Sequence, residues 1–405
     1  MFERGARWIL PALMLAFMAC RGGGEDVVKQ STIPHDARRL ARAQGSRAAL
    51  SEALEPVAFF EGAMPTGVTV SRDRRIFVSF PRWIDPVAST AAELAGGRLV
   101  PIPDLRMNQF TVERAPFTLV SVQSVVLDPE NRVWLVDTGN VDWNDNLPDA
   151  PKLVAFDLRR NQVSRVIHFS PDVVLPTSYI NDVRFDWTHG KAGTAYLTDA
   201  SMRGPNGIIV VDLASGRAFR RLDDHPSTQA DRRFTPTVEG EPLLRRVRRG
   251  QAAPLRVGVD GIALSADGKV LWYRPLVSRH LYSVSTDALV DESAAEELVV
   301  ATVIDHGDLG YASDGLESDA EGRLYLTDYE HQAIHRLLPN GKDEVLVTDP
   351  RLIWPDTLAL AEDGYLYVTV NQLNRQPQFH EGIDRREGPY ALFRIKVDAK
   401  PAWLR

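Results

Sequence analysis

Cysteine is almost absent from this sequence of 405 residues, because Cys20 is the only one. No disulfide can form within one chain, so the stability of the fold must come from packing. The sequence also has no G-x-S-x-G, no H-E-x-x-H and no Walker loop. These absences argue against a serine-triad hydrolase, a zinc protease of the zincin type and a nucleotide hydrolase.

Neither charge nor hydropathy indicates a nucleic acid or a membrane-spanning segment. The 47 basic and 54 acidic residues leave a formal net charge of −7, which gives no reason to expect nucleic acid as a partner. One marked apolar run, Trp8–Ala19, follows Arg4 and Arg7 and is short for a bilayer span. We predict that residues 1–20 are a signal peptide and that the protein is secreted or periplasmic.

Cys20 directly follows the apolar run and precedes RGGGED. This arrangement resembles a bacterial lipoprotein cleavage site, at which the cysteine is acylated and tethers the protein to a membrane. Two alternatives therefore stay open, a lipid anchor at Cys20 or ordinary cleavage near Ala19. Residues 21–56 are polar, and we predict a linker there with one peripheral helix over Asp36–Leu54.

Six copies of one pattern organise the rest of the sequence. In the clearest copy, from Ser313 to Leu337, the strands GLESD, RLYLTD and AIHRL follow one another, and KDEVLVT adds a fourth. A four-stranded antiparallel unit cannot bury both faces alone, so six in series predict an all-β, six-bladed β-propeller over residues 57–398. Strands at residues 57–60 and 391–397 are predicted to close the ring.

Each copy begins with a polar residue at one fixed position, just before the innermost strand of the blade. These first-position residues should converge on the propeller axis: Thr66, Gln123, Asn181, Asp260, Asp314 and Asp356. Asp and Asn there are also ordinary turn residues, which hydrogen-bond their own backbone two residues on. Three carboxylates near one axis, however, would repel one another unless a cation or hydrogen-bond donors lay between them.

The sequence of the blades resembles the royal jelly and yellow protein family, in its bacterial branch. The resemblance covers nearly everything from Val57 to Val397, and its main segments are GVTVSRDRRIFVSFPRW, VPIPD, SVQSVVLDPENRVWLVDTG, GVDGIALSADGKVLWYRPL, SDGLESDAEGRLYLTD and WPDTLALAEDGYLYVTVNQLNR. It implies a secreted six-bladed propeller. Members of that family include binders of small amines, nutrient or structural proteins and relatives of dopachrome-converting enzymes, and bacterial members are often labelled gluconolactonases by analogy.

The blades are also distantly similar to the senescence-marker and gluconolactonase propellers, which hold a divalent cation on the axis. That similarity implies metal ligation by Asn181, Asp260 and Asp314, and Asp356 adds a further carboxylate. Oxygen ligands of this kind suit Ca²⁺ before Mg²⁺. The sequence departs from the pattern in the first blade, where Thr66 stands in place of a glutamate.

Three further segments carry candidate functional residues. His306 lies on the segment leading to Asp314 and is a candidate proton carrier. Trp143, together with Thr66 and Gln123, is a candidate for contacting a ligand. An arginine-rich insertion at residues 220–256 is predicted either to cover one channel mouth and attract an anion or to be a solvated hairpin.

The sequence leaves three functions open, all with a small molecule as partner and a monomer as the expected state. The preferred one is metal-assisted hydrolysis of a small lactone, with Asp260 or Asp314 as the catalytic carboxylate and His306 as a proton carrier. The first alternative is a non-catalytic protein that binds an aromatic or amine ligand in the channel mouth. The second is an isomerase of the dopachrome-tautomerase type.

Overall fold

The chain is described by a computed structural model over residues 50–248 and 250–403. Within these ranges it forms six four-stranded antiparallel sheets and two short hairpins. The first strands of successive sheets lie against one another, and the last lies against the first, so the ring is closed. The prediction of an all-β, six-bladed propeller is confirmed.

The strands follow one another around the ring, blade by blade. Strand β1 is Leu54–Phe60, and blade one contains β2 (Val68–Val70), β3 (Ile76–Ser79), β4 (Ala91–Ala95) and β5 (Arg98–Pro101). Blade two contains β6 (Val122–Leu127), β7 (Arg132–Asp137), β8 (Lys152–Asp157) and β9 (Gln162–His168). Blade three contains β10 (Ile180–Asp186), β11 (Thr194–Asp199), β12 (Ile208–Asp212) and β13 (Ala218–Arg221).

The insertion and the remaining blades come next. The insertion forms two hairpins, β14 (Thr237–Val238) with β15 (Glu241–Pro242), and β16 (Leu244–Arg248) with β17 (Gln251–Pro254). Blade four contains β18 (Val259–Leu264), β19 (Val270–Pro275), β20 (His280–Ser285) and β21 (Ile304–Asp308). Blade five contains β22 (Leu316–Ser318), β23 (Leu324–Asp328), β24 (Ala333–Leu337) and β25 (Asp343–Thr348). Blade six contains β26 (Pro355–Leu360), β27 (Tyr365–Val370) and β28 (Tyr390–Lys396), with β1 as its outer strand.

The helices are short and lie in the connections between strands. They are α1 (Leu105–Asn108), α2 (Thr286–Val290), α3 (Glu296–Val300) and three 3₁₀ helices at Val112–Phe117, Leu373–Arg375 and Pro377–Phe379. Asp104 caps α1, since its carboxylate accepts a hydrogen bond from the Met107 amide at 2.7 Å. Among the described residues, none of the helices has the length and apolar character needed to cross a membrane.

Burial follows the position of each strand in its blade. Every residue of β8 is buried, because the sheet is covered on both faces by neighbouring blades. The outer strand β9 instead alternates between more and less exposed residues, which is the pattern of a strand with one face in water. The apolar runs in the middle strands therefore supply most of the core.

Blade six joins the two ends of the described chain. Strand β1 pairs antiparallel with β28, with Phe60 opposite Tyr390 and Leu54 opposite Ile395, so the predicted ring closure is confirmed. The pairing starts at Leu54, three residues before the expected start, because Leu54 is buried in the blade-six core. The predicted helix therefore does not extend over residues 50–54; its earlier part, the predicted signal peptide and Cys20 lie outside the described residues.

A buried ion pair holds the loop before blade two. Asp137, at the end of β7, accepts hydrogen bonds from the Val120 and Ser121 amides, both at 2.8 Å. Its carboxylate also lies 2.8 Å from the Lys152 Nζ, and both side chains are fully buried. Asp137 thus caps a loop of the blade and has no exposed surface for a ligand.

Candidate functional site

One cavity at the end of the propeller axis collects five of the six predicted first-position residues. Its polar lining includes Gln123, Asn181, Asp260, Asp314 and Asp356. The cavity is small, with a volume of about 40 Å³, and the rest of its wall is mainly apolar and aromatic. The repeat therefore placed most of its polar positions around one common site.

Two glycines explain why the aspartates come so close together. A Cβ atom on Gly261 would lie 2.3 Å from the Asp314 carbonyl oxygen, and one on Gly315 would lie 2.3 Å from the Asp356 carbonyl oxygen. Any larger residue would collide with the backbone of the next inner strand. The Asp-Gly sequences thus serve close packing of blades four, five and six.

Asp260 and Asp314 belong to one hydrogen-bonded group in the cavity. The Asn181 side-chain amide donates to the Asp260 carboxyl, and the Trp354 indole N–H donates to Asp314 Oδ2 at 2.7 Å. The two carboxyl groups also lie near each other, and burial together with the charge of Asp260 raises the pKa of Asp314. Ionisation of one of them therefore opposes ionisation of the other.

Asp356 is held separately, on the neighbouring blade. Its Oδ2 accepts from the Asn371 amide at 2.6 Å, and its Oδ1 accepts from the Thr357 hydroxyl at 3.0 Å. Both oxygens therefore already have a donor from the protein.

The carboxyl groups of the cavity resist ionisation. Burial raises the pKa of Asp260, Asp314 and Asp356 well above the usual carboxyl value, and the charge of a neighbouring aspartate raises each pKa further. Among the described residues, no lysine or arginine lines this cavity to offset the negative charge. An incoming cation would relieve both effects.

Three stacked rings form an aromatic wall beside the carboxyl groups. Trp143 stacks between Trp83 and Tyr179, with ring centroids 4.8 Å and 4.6 Å apart. A hydrogen-bond chain runs along the same wall, from the Trp83 indole N–H to the Tyr179 hydroxyl and from that hydroxyl to Gln123 Oε1, each 2.8 Å long. The wall is thus fixed in position by both stacking and hydrogen bonding.

Backbone strain accompanies two of the cavity tryptophans. Asp142 and Trp143 have φ angles of +55° and +60°, and Trp354 has a φ of +58°. Such left-handed conformations cost about 1–3 kcal/mol for a residue other than glycine, and they cluster at functional sites. The Trp143 indole N–H is also buried and, within the described ranges, has no hydrogen-bond partner. These features indicate that the loop is shaped for a binding wall.

The side chains of the cavity are not arranged as a metal centre. In the part of the chain that the structure describes, no group of three or more His, Cys, Asp or Glu side chains is arranged to hold a metal ion. Asn181, Asp260 and Asp314 are the residues that would hold a cation in this cavity. No chemical step through a metal is therefore assigned to it.

Two predicted site residues lie elsewhere. The Thr66 hydroxyl donates to the Gln123 carbonyl at 2.6 Å, so it links blades one and two and does not line the cavity. His306 is on β21, the outermost strand of blade four, where it bonds the Ser283 hydroxyl and packs on Trp272. The prediction that His306 reaches the channel mouth is wrong, because its segment forms the outer strand of the sheet.

The sequence pattern indicated Trp143 as a residue of the site, but it did not indicate Trp83, Tyr179 and Trp354. A signal was present for two of these. Tyr179 and Trp354 each lie two residues before a first-position residue, Asn181 and Asp356. Comparing that position across the six copies points to aromatic residues in blades three and six.

The insertion lies beside this mouth of the channel. Leu255, at its end, lines the cavity together with Val257. The Arg246 guanidinium donates to the Phe379 carbonyl at 2.8 Å, and Phe379 lines the cavity as well. The insertion therefore contacts the rim of the cavity, while its strand β17 is exposed to solvent; the two predicted roles stay open.

Comparisons with known proteins agree with this architecture. A yellow-related salivary protein, LJM17 of Lutzomyia longipalpis, is 26% identical over 350 residues, covering 76% of this chain and 77% of that protein. Major royal jelly protein 7 of Apis mellifera is 27% identical over 210 residues, covering 50% of this chain and 43% of that protein.

Solved structures show the same fold at low identity. Regucalcin of Agrobacterium tumefaciens, a calcium-binding protein, has a TM-score of 0.50 at 14% identity, covering 84% of this chain and 92% of that one. A putative gluconolactonase has a TM-score of 0.50 at 12% identity, covering 86% of this chain and 93% of that one.

The sequence profile described as Major royal jelly protein matches residues 120–399. The chain therefore belongs to the major royal jelly protein family.

Proposed function

We propose that the axial cavity binds a small aromatic amine without converting it. The observation that carries this proposal is the combination of buried carboxyl groups with an aromatic wall, in a cavity with no lysine or arginine in its described lining. An ammonium group entering the cavity supplies the missing positive charge.

The two halves of such a ligand have separate places in the cavity. Its ammonium group would lie by Asp260 and Asp314, which then ionise and accept charge-assisted hydrogen bonds. Its ring would pack against the Tyr179 side of the aromatic wall and the apolar side chains Leu276 and Phe379. Burial of the carboxyl groups strengthens the charge interaction.

Calorimetric titration with tyramine and with 4-ethylphenol tests the proposal. The two probes share the phenol ring, but only tyramine carries an ammonium group. We expect tyramine to bind with an affinity at least about tenfold higher, in the presence of a chelator as well as with Ca²⁺, because the pairing of ammonium with carboxylate contributes about 1.5–3 kcal/mol. Equal affinities for the two probes would contradict the proposal.

Binding of the amine is expected to strengthen as the pH rises. The folded, free protein keeps protons on its axial carboxyls because their pKa values are raised, whereas the ammonium ligand favours the ionised form. Binding therefore releases protons, and affinity increases as the pH rises from about 5 towards about 8, where the amine itself is still charged. Titrations in two buffers with different ionisation heats measure the released protons. Uptake of protons on binding would contradict the proposed site.

The free protein should respond to pH in the opposite direction. Its axial carboxyls have raised pKa values, so the folded state binds more protons than the unfolded state once the pH exceeds the ordinary carboxyl value. Stability is therefore lost as the pH rises through the raised pKa values. Thermal unfolding with and without tyramine across the same pH range separates the two effects.

Calcium-assisted hydrolysis of a lactone is the second candidate function. It is favoured by one observation, namely that Asn181, Asp260 and Asp314 line the same cavity. Hydrolysis of glucono-δ-lactone that is lost with a chelator and restored by Ca²⁺ would support it. Tyramine binding in a chelator, together with no lactone turnover when Ca²⁺ is present, would exclude it for this cavity and leave the binding function.

We also propose that the protein is exported. The apolar run after Arg4 and Arg7 supports this proposal, as does the likeness to a salivary protein. Mass spectrometry of the mature N-terminus distinguishes an acylated Cys20 from ordinary cleavage near Ala19.

A further inference from the structure

A second cavity lies outside the axial one, between the insertion and the segment that joins β27 to β28. Its volume is about 500 Å³. Phe379 lines both cavities and separates them. Half of the residues that line the outer cavity are charged, in contrast to the mainly apolar wall of the inner one.

One side of this outer cavity is fixed by Glu239. Its carboxylate accepts two hydrogen bonds from Arg375, at 2.8 Å and 2.6 Å, and a third from the Asn374 amide nitrogen at 2.8 Å. The backbone of Glu239 has a φ of +50°, a conformation that such contacts can maintain. The Asn374 amide is thereby held in a single orientation.

That orientation leaves an acceptor without a partner. Asn374 is only 6% exposed, and its Oδ1 atom is buried. Within the described residues, this oxygen receives no hydrogen bond. A buried acceptor without a donor costs about 1–3 kcal/mol. A ligand carrying an N–H donor would remove this cost.

The charges of the cavity are matched except for two. Glu239 pairs with Arg375, and Glu241 lies 3.6 Å from Arg385. Arg246 donates to a backbone carbonyl, but among the described residues no carboxylate lies within 4.0 Å of it. The Glu387 carboxylate likewise has no cationic partner in the described ranges. The cavity therefore presents one unpaired cation and one unpaired anion.

From these contacts we propose that the outer cavity binds a small zwitterion of the α-amino acid type. The ligand carboxylate would pair with the Arg246 guanidinium, and its ammonium group would donate to Asn374 Oδ1 and the Glu387 carboxylate. Arginine suits this role because its planar fork matches a carboxylate. The site is independent of the amine function proposed for the axial cavity.

His380 supports the position proposed for the ligand carboxylate, next to Arg246. Burial lowers the pKa of His380, and the positive charges of Arg385 and Arg246 lower it further. All three side chains line the outer cavity. An anion bound near them would reduce this electrostatic effect.

Calorimetric titration with L-alanine, acetate and methylammonium tests the proposal. L-Alanine carries both charged groups, whereas each of the other two probes carries one. We expect L-alanine to bind at least about tenfold more tightly than either, and Arg246→Ala and Glu387→Gln each to weaken it at least about tenfold. Arg232→Ala, an exposed arginine of the same insertion, is the matched control and should leave the affinity unchanged.

A variant of the axial cavity locates the ligand. Asp314→Asn should leave L-alanine binding unchanged, because that residue lines only the inner cavity. Loss of binding in Asp314→Asn with retention in Arg246→Ala would place the ligand in the inner cavity and overturn the proposal. Acetate binding as tightly as L-alanine would also overturn it, since the site would then recognise only an anion.

Discussion

Replacing Asp314 by asparagine is expected to weaken tyramine binding by about 30-fold to 5000-fold. The substitution keeps the shape of the side chain and an oxygen that can accept the Trp354 indole hydrogen bond, but it removes the group that ionises. Loss of one partner of a buried charge pair costs about 2–5 kcal/mol, which corresponds to this range. Calorimetric titration with tyramine measures the change.

The same substitution separates a binding role from a structural one. At alkaline pH the free Asp314→Asn protein should be at least as stable as the wild type, because one buried carboxyl with a raised pKa has been removed. Glu52→Gln, at an exposed position near the start of the described chain, serves as control and should change neither affinity nor stability. Unaltered tyramine affinity in Asp314→Asn would rule out the ammonium position proposed here.

Replacing Asp137 by alanine is expected to destabilise the fold by about 3–5 kcal/mol. The change leaves the Lys152 ammonium buried without a counter-charge and leaves the Val120 and Ser121 amides without their acceptor. Lys152 retains only the carbonyl oxygens of Ala115 and Ala150. Denaturation in urea, followed by tryptophan fluorescence, measures the change in the free energy of unfolding.

An exposed ion pair of the same protein provides the control. Arg217 and Glu292 lie 2.5 Å apart, but their side chains are 71% and 41% exposed, so Glu292→Ala should cost less than about 1 kcal/mol. The contrast between the two pairs isolates the effect of burial. A loss of similar size in both variants would mean that the Lys152–Asp137 pair is not dominated by desolvation.

The propeller was predictable because each blade is a local structure. Its strands pair with neighbours in sequence, so alternation and turns show them directly, as in the copy from Ser313 to Leu337. Ring closure by β1 and β28 was also predictable, since an unpaired strand remained at each end. The segment of His306 lacked such a signal: IDHGD has little apolar alternation, and its strand is specified by pairing with β20.

The candidate site was predictable only in part, for a geometric reason. The repeat showed which positions point to the axis, and Asn181, Asp260, Asp314 and Asp356 do line one cavity. It did not show which oxygens are occupied by Trp354, Asn371 and Thr357. These contacts depend on how neighbouring strands and loops pack, which the repeat does not specify.

The sequence by itself determined the family, the number of blades and the presence of acidic groups at the axis, because all three follow from local patterns that repeat along the chain. Tertiary structure alone decided the chemistry of the cavity. Trp83, Trp143 and Tyr179 come from separate loops and stack only when the ring closes. The raised pKa values of the aspartates likewise arise from burial and from charges on neighbouring blades, and these exist only in the folded protein.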